Sequence, residues 1–171
     1  MAVKINKKMV GPGQNLKTAL LFLFDQAFNK KAWHGTNLRG SIRGLSAAQA
    51  LWRPSPKRHN IWELTIHAAY WKYAVWRRLT GHKRSSFEIK GSNWLKAPQT
   101  PDEGQWREII SLLENYHKLL RRHLENLPES QLLKPAPESE MRISDLIVGV
   151  ASHDLYHAGQ IQLLKRLQKG Q

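Results

Sequence analysis

Hydrophobic residues recur every three or four positions over four long stretches of the chain, the pattern of helices that bury one side. The stretches predict helices over about 15–31, 61–80, 101–127 and 143–169. No stretch shows the strict alternation of a β-strand. Between the first two helices lies a short irregular or helical segment, with minor helices expected up to residue 43 and over 47–52. We therefore predict an all-α protein, most simply a four-helix bundle.

Turn and capping signals locate the helix ends. Asn60 and Glu63 have the spacing of a capping box at the start of the second helix, and Gly81 can end that helix in the left-handed conformation. At the third helix, Thr100 is the predicted N-cap, with Pro101 at the first helical position and a glutamate at the third.

Length and composition favour one globular domain over 1–171. The chain has 171 residues, of which 41% are hydrophobic, enough for a single substantial core. No run of about 18 apolar residues indicates a membrane span. The lysines near the N-terminus are not followed by the apolar region of a signal peptide. We expect a cytoplasmic protein without a membrane partner.

The absence of cysteine and the excess of basic residues narrow the possible chemistry. With no cysteine, any metal must be held by His, Asp or Glu. The formal net charge is +14, but the lysines and arginines are dispersed in pairs and triplets without a recognisable nucleic-acid-binding motif. A basic helical nucleic-acid-binding protein, in which the histidines are structural, is one alternative. Phosphate binding would then collapse with added salt, whereas metal binding by buried imidazoles would not.

Two histidines lie on the predicted inner face of the fourth helix. That face is defined by alternating spacings of four and three residues and comprises Leu146, Val150, His153, His157, Gln160, Leu164 and Leu167. Imidazoles four residues apart project from one side of a helix, the spacing at which a helix presents two ligands to one metal ion. Two unrelated or packed histidines fit the same pattern. Gln160 can bond a metal-bound water or orient a ligand, or can simply pack as an amide.

His67 is the candidate third ligand. It shares the core spacing of Leu64, Trp71 and Ala74 on the second helix and lies about two turns from the helix start, as His153 does. Side chains of facing helices can meet at such a level in a bundle. The alternative for His67 is a core histidine bonded to a carbonyl group. Glu63, one turn earlier, is a possible base but is better suited to capping.

The remaining histidines and aromatic residues show no comparable pattern. His34, Trp62 and Trp71 are candidates for a pocket lining, although tryptophans in a bundle more often belong to the core. Four histidines without partners at metal spacing are interpreted as surface or packing residues: His59, His82, His117 and His123. Asp154 and Tyr156 flank the histidine motif and receive no role.

The order of these motifs resembles the DinB-like superfamily of four-helix metalloproteins. The resemblance rests on Asn60-Ile61-Trp62-Glu63-Leu64 followed by His67, and on His153 and His157 followed by Gly159-Gln160. It extends to Trp33-His34-Gly35 and Asn93-Trp94, and so covers nearly the whole chain. It implies that His67, His153 and His157 bind a divalent metal ion, commonly nickel or zinc.

The resemblance also implies a range of activities. Members include thiol transferases that join low-molecular-weight thiols to electrophiles, and isomerases or hydrolases that use thiol cofactors. We expect a divalent-metal-dependent enzyme of thiol-transferase or hydrolase type, with a small-molecule substrate, a low-molecular-weight thiol as cosubstrate and, by analogy, a homodimer. The alternative is a non-catalytic metal-binding module of the stress response. Relatives often carry arginine where Ala158 stands, so a contact made by that arginine is not expected here.

Overall fold

Six α-helices and one 3-10 turn make up the regular structure in the described part of the chain. The computed structural model describes residues 15–82 and 86–170. The helices are α1 (Leu16–Phe28), α2 (Leu38–Ser41), α3 (Ala47–Leu51), α4 (Ile61–Thr80), α5 (Glu103–Asn126) and α6 (Ile143–Lys169), with the 3-10 turn at Glu129–Gln131. Four of the helices are long, and the described residues contain no strand beyond an isolated bridge. The prediction of an all-α bundle is confirmed.

The predicted ends of α4 are confirmed. The side chain of Asn60 accepts a hydrogen bond from the Glu63 amide, and the Glu63 carboxylate accepts one from the Asn60 amide. Gly81 ends the helix with a φ of 68°, a conformation that costs glycine little. The side-chain Nδ2 of Asn60 also donates to the backbone carbonyl of Leu51, which connects the start of α4 to the end of α3.

The predicted start of α5 is wrong by two residues. Asp102, not Thr100, is the N-cap and accepts a hydrogen bond from the amide of Gln105. The carboxylate is the better cap because its charge faces the positive end of the helix dipole. Pro101 therefore precedes the helix. The carboxylate of Glu103 accepts a hydrogen bond from the Ala47 amide at the start of α3, at 2.7 Å.

One other predicted boundary shifts, and one predicted inner residue is exposed. Helix α1 ends at Phe28 instead of residue 31, because the chain turns at Asn29, whose amide still bonds the carbonyl of Asp25. On α6, Leu167 is 45% exposed although the spacing places it on the inner face. The periodic pattern of this helix therefore continues beyond Leu164, the last residue that it buries.

The core positions α4 and α6 side by side. Helix α4 packs against α5 and α6, and α1 packs across α6 and α5. One hydrophobic cluster joins α4, α5 and the short helices, and a second joins α1 to the N-terminal half of α6. The connection from α4 to α5 runs back over α4 and carries residues 86–102. Among the described helices, none is long and apolar enough to cross a membrane.

Candidate metal centre

Three histidine rings converge between α4 and α6. Nε2 of His153 lies 3.2 Å from Nε2 of His67 and 3.0 Å from Nε2 of His157. One nitrogen of each ring lies within 4.8 Å of the other two, so the group could hold a metal ion. These are the three residues that the sequence proposed as ligands, and the fold brings all of them together. Their role as ligands remains a prediction.

Hydrogen bonds determine which ring nitrogen faces the cluster. Nδ1 of His67 lies 2.7 Å from the backbone carbonyl oxygen of Asn93, and Nδ1 of His157 lies 2.7 Å from Oε1 of Gln160. Because a carbonyl oxygen can only accept, each Nδ1 carries the proton. In the neutral ring the lone pair is then on Nε2, directed at the other two histidines.

Burial keeps the three rings neutral. It lowers the pKa of His153 to about 3, and repulsion from any charge on His157 or His67, and from the charge of Lys72, acts in the same direction. It lowers the pKa of His157 to about 4, although the hydrogen bond to Gln160 acts in the opposite direction. Burial also lowers the pKa of His67. Neutral imidazole is the form that binds metal.

The two distances from His153 Nε2 to the other Nε2 atoms fit a bound cation. His153 Nε2 can donate a proton to only one of its two neighbours, so without a cation at least one contact joins two lone pairs. Nitrogen ligands about 2.0–2.1 Å from a tetrahedral ion lie roughly 3.3–3.4 Å apart, close to the observed 3.0 and 3.2 Å. Three protein ligands leave one position open, as in catalytic zinc sites.

Aromatic rings enclose the histidine cluster. Trp94 stacks on His67 with 3.8 Å between the ring centroids, and Trp71 meets both His67 and His153 edge-on at 6.3 and 6.2 Å. Tyr156 packs edge-on against His157 at 5.1 Å and is itself 63% exposed. The three rings flank the cluster, and each remains more than a third exposed.

Gln160 and Glu63 differ in their relation to the cluster. Gln160 bonds the ring of His157, so its contact is with a candidate ligand. Glu63 caps α4 and accepts hydrogen bonds from Arg53. Burial alone would raise the pKa of Glu63, but the hydrogen bonds from Arg53 and His59 outweigh it, and the pKa is lowered. Capping, the preferred interpretation of Glu63, is the role observed.

Other candidate residues lie away from the cluster. Trp62 is buried against Trp106 in the core, and His34 is exposed. His117, interpreted as a surface or packing residue, is buried and stacks on the rings of Phe24 and Phe28.

Four residues near the cluster received no role from periodicity. Asn93 and Trp94 lie in a loop without a repeating pattern, and only their part in the family resemblance singled them out. Lys72 and Asp154 form a fully buried ion pair of 2.5 Å between α4 and α6. Asp154 directly follows His153, and Lys72 lies five residues after His67. The local signal was a pair of opposite charges on two helices, each one residue after a predicted inner position, Trp71 or His153.

A comparison with family models identifies the superfamily that the chain matches. Residues 32–161 match the model described as the DinB superfamily, a range that includes all three histidines. No curated protein and no solved structure shows a significant match to the chain.

Proposed function

This chain belongs to the DinB superfamily, and from that premise we propose that it is a divalent-metal-dependent enzyme of thiol-transferase or hydrolase type. His67, His153 and His157 are the proposed ligands. The observation that carries the proposal is the convergence of three Nε2 atoms, two of them on rings whose Nδ1 proton is committed to an oxygen.

The residues around the cluster support a reactive site. Asn93 and Gln160 hold two rings in one tautomer and orientation. Trp94 stacks on the face of the His67 ring, and Trp71 meets its edge. A divalent ion with three neutral ligands supplies an uncompensated positive charge that lowers the pKa of a bound water or thiol. A thiol cosubstrate suits a chain that contains no cysteine.

Nickel and zinc are the proposed ions. Imidazole nitrogen suits both, and no carboxylate joins the cluster to favour magnesium or calcium among the described residues.

Metal content tests the site. We expect the tagless protein, incubated with nickel or zinc and desalted, to carry close to one ion per chain by elemental analysis. Alanine at His67, His153 or His157 should remove most of that ion because two imidazoles hold it far less tightly. His34→Ala, at an exposed histidine, is the matched control and should retain it. Wild-type protein without metal after this treatment would refute the proposal.

Turnover separates an enzyme from a metal-binding module. The assay follows loss of free thiol when 3-mercaptopropionate reacts with 1-chloro-2,4-dinitrobenzene, with and without the ion; release of acid from an activated ester tests hydrolysis. Rates that depend on metal and fall in His153→Ala would support an enzyme. Stoichiometric metal with no metal-dependent rate in either assay would favour the non-catalytic module.

A further inference from the structure

A groove of about 500 Å³ runs along the outer side of α4, beyond the histidine cluster. One wall is formed by Tyr70, Trp71, Tyr73, Arg77 and Arg78, and the other by residues 137–138 before α6. Its size suits a small organic molecule. The two arginines of this groove make none of the contacts described for the histidine cluster.

The groove begins where the histidine cluster ends. His67, Trp71, Ala74 and Arg78 follow one another at spacings of four, three and four residues, so they lie along one face of α4. The Trp71 ring contacts His67 and His153 and also lines the groove. Trp71 is 38% exposed, so the stripe that is buried at His67 opens to solvent here. Arg78 lies eleven positions after His67, so their backbones are about 16 Å apart along the helix axis.

The two arginines have uncompensated charge. Arg77 and Arg78 are exposed and form no ion pair within residues 15–82 and 86–170. Arg39, Arg53 and Arg121 each pair with a carboxylate. The Arg77 guanidinium lies 6.0 Å from the centroid of the Tyr73 ring, at the limit of cation–π contact.

The groove therefore combines an aromatic surface with positive charge. Glu138, on the opposite wall, is the one carboxylate among the described lining residues and has polar contacts of its own. With two guanidinium groups and one carboxylate, the described lining residues carry a net positive charge. Guanidinium groups bind carboxylates through paired hydrogen bonds, and aromatic rings accept the apolar or planar part of the same molecule.

We propose that this groove binds the carboxylate-bearing end of a small organic substrate whose reactive end lies at the histidine cluster. Arg77 and Arg78 hold the carboxylate, and Trp71 and Tyr70 contact the middle of the molecule. The position of the reactive end rests on the proposed function, whereas the carboxylate subsite requires no metal. A carboxylated thiol or a carboxylated electrophile has the required chemistry.

Equilibrium binding tests the carboxylate subsite. The probe is 3-phenylpropionate, titrated by ligand-observed NMR against the full-length protein, both metal-loaded and chelator-treated. Its neutral isostere, 3-phenylpropanamide, is titrated in parallel. We expect the acid to bind at least tenfold more tightly than the amide, and the R77Q/R78Q variant to lose that preference in both preparations.

A control variant tests whether removal of any exposed positive charge weakens binding of the acid. Arg122 is exposed on α5, outside the groove, and also forms no ion pair with a described residue. We expect R122Q to bind the acid as the wild type does. Equal binding of acid and amide, or an equal loss in R122Q and R77Q/R78Q, would overturn the subsite.

Steady-state kinetics tests where the reactive end lies. The test thiols have eight-carbon chains because the two sites lie well apart along α4. For 8-mercaptooctanoate, R77Q/R78Q should raise KM at least fivefold, whereas the KM of the neutral 8-mercaptooctan-1-ol should rise less than twofold. R122Q should leave both KM values as in the wild type. An equal rise in KM for both thiols, or none for either, would overturn the placement of the reactive end. If the wild type shows no metal-dependent turnover, the proposed function fails, and the NMR titration still decides the carboxylate subsite.

Discussion

A hydrogen bond on the far side of each ring determines how His67 and His157 face the cluster. The Asn93 carbonyl and the Gln160 side chain each accept the Nδ1 proton. This leaves Nε2 as the only lone pair on the ring and restricts rotation of the imidazole. His153 has no such partner, since its buried Nδ1 bonds no described residue. Gln160 is therefore the side chain through which ring orientation can be altered without removing a candidate ligand.

We predict that Gln160→Leu weakens metal binding about 10- to 100-fold, the usual effect of losing a partner of a ligating histidine. Without the acceptor, the His157 ring can rotate or adopt the other tautomer. The measurement is competitive titration against a chromophoric chelator, with unfolding followed in parallel to establish that the variant is folded.

The matched control is Gln168→Leu, the same change two turns further along α6, where the amide contacts the carbonyl of Gln49. It should bind metal as the wild type does. A Gln160→Leu protein with unchanged affinity would show that the hydrogen bond does not support the site.

Residue spacing predicted the histidines but not the groups that orient them. His153 and His157 are four residues apart on one helix, so their shared face follows from helix geometry alone. Asn93 contributes a backbone carbonyl, which every residue has. This carbonyl accepts the His67 proton because the 86–102 segment crosses α4 at that point. No local sequence pattern predicts where the segment crosses.

At the scale of helices, the site depends on how α4 lies against α6. The capping box at Asn60 sets the start of α4 and therefore the height of His67. Between the helices, Lys72 and Asp154 form an ion pair with no exposed side-chain surface. The Lys72 ammonium also lies 4.8 Å from the Phe24 ring centroid of α1. A buried charge pair tolerates little sliding of one helix along another because either charge left alone is costly.

We predict that Lys72→Met lowers the free energy of unfolding by about 3–5 kcal/mol, since it leaves the Asp154 carboxylate buried without its partner. The double variant Lys72→Met/Asp154→Leu should recover most of that loss because no charge remains in the core. Denaturant unfolding at neutral pH is the measurement. A double variant as unstable as the sum of the two single variants would show that the two side chains act independently.

The differences between predicted and observed helix ends have tertiary causes. Thr100 and Asp102 both have side chains that can cap a helix. The local sequence permits either one, and the fold shows that Asp102 is the N-cap. In the structure Glu103 bonds the amide of Ala47 on α3, a contact between residues far apart in sequence. Periodicity likewise placed Trp71 and Leu167 on inner faces, but the neighbouring helices do not cover them.

At the scale of the whole molecule, three of the eight histidines are buried in a strongly basic protein, and burial lowers the pKa of each: His67, His117 and His157. Burial lowers the pKa of His117 to about 2, with the charges of Lys72 and Arg121 acting in the same direction. Neither nitrogen of this ring bonds a described residue. In the unfolded chain the same histidine accepts a proton near pH 6.5. Below that pH the unfolded state binds more protons, so stability falls as the pH drops towards the folded pKa.

We predict that His117→Leu reduces the acid sensitivity of folding. Between pH 6 and 4 the wild type should lose about 1.4 kcal/mol of unfolding free energy per pH unit from this residue alone, and the variant should lack that contribution. Urea unfolding at several pH values measures the slope. His34→Gln, at an exposed site, should leave the slope unchanged. Equal slopes in wild type and His117→Leu would contradict the prediction.

The sequence by itself determined the four long helices, the capping of α4, the absence of cysteine ligands and three candidate metal-binding histidines, because these follow from periodicity, local hydrogen bonding and composition. Tertiary structure alone decided that the three Nε2 atoms meet, that Asn93 and Trp94 reach His67, and that Lys72 pairs with Asp154. It also decided that the buried stripe of α4 opens into a groove beyond Trp71. Contacts of this kind depend on how helices and loops cross. The sequence pattern of a single helix does not determine those crossings.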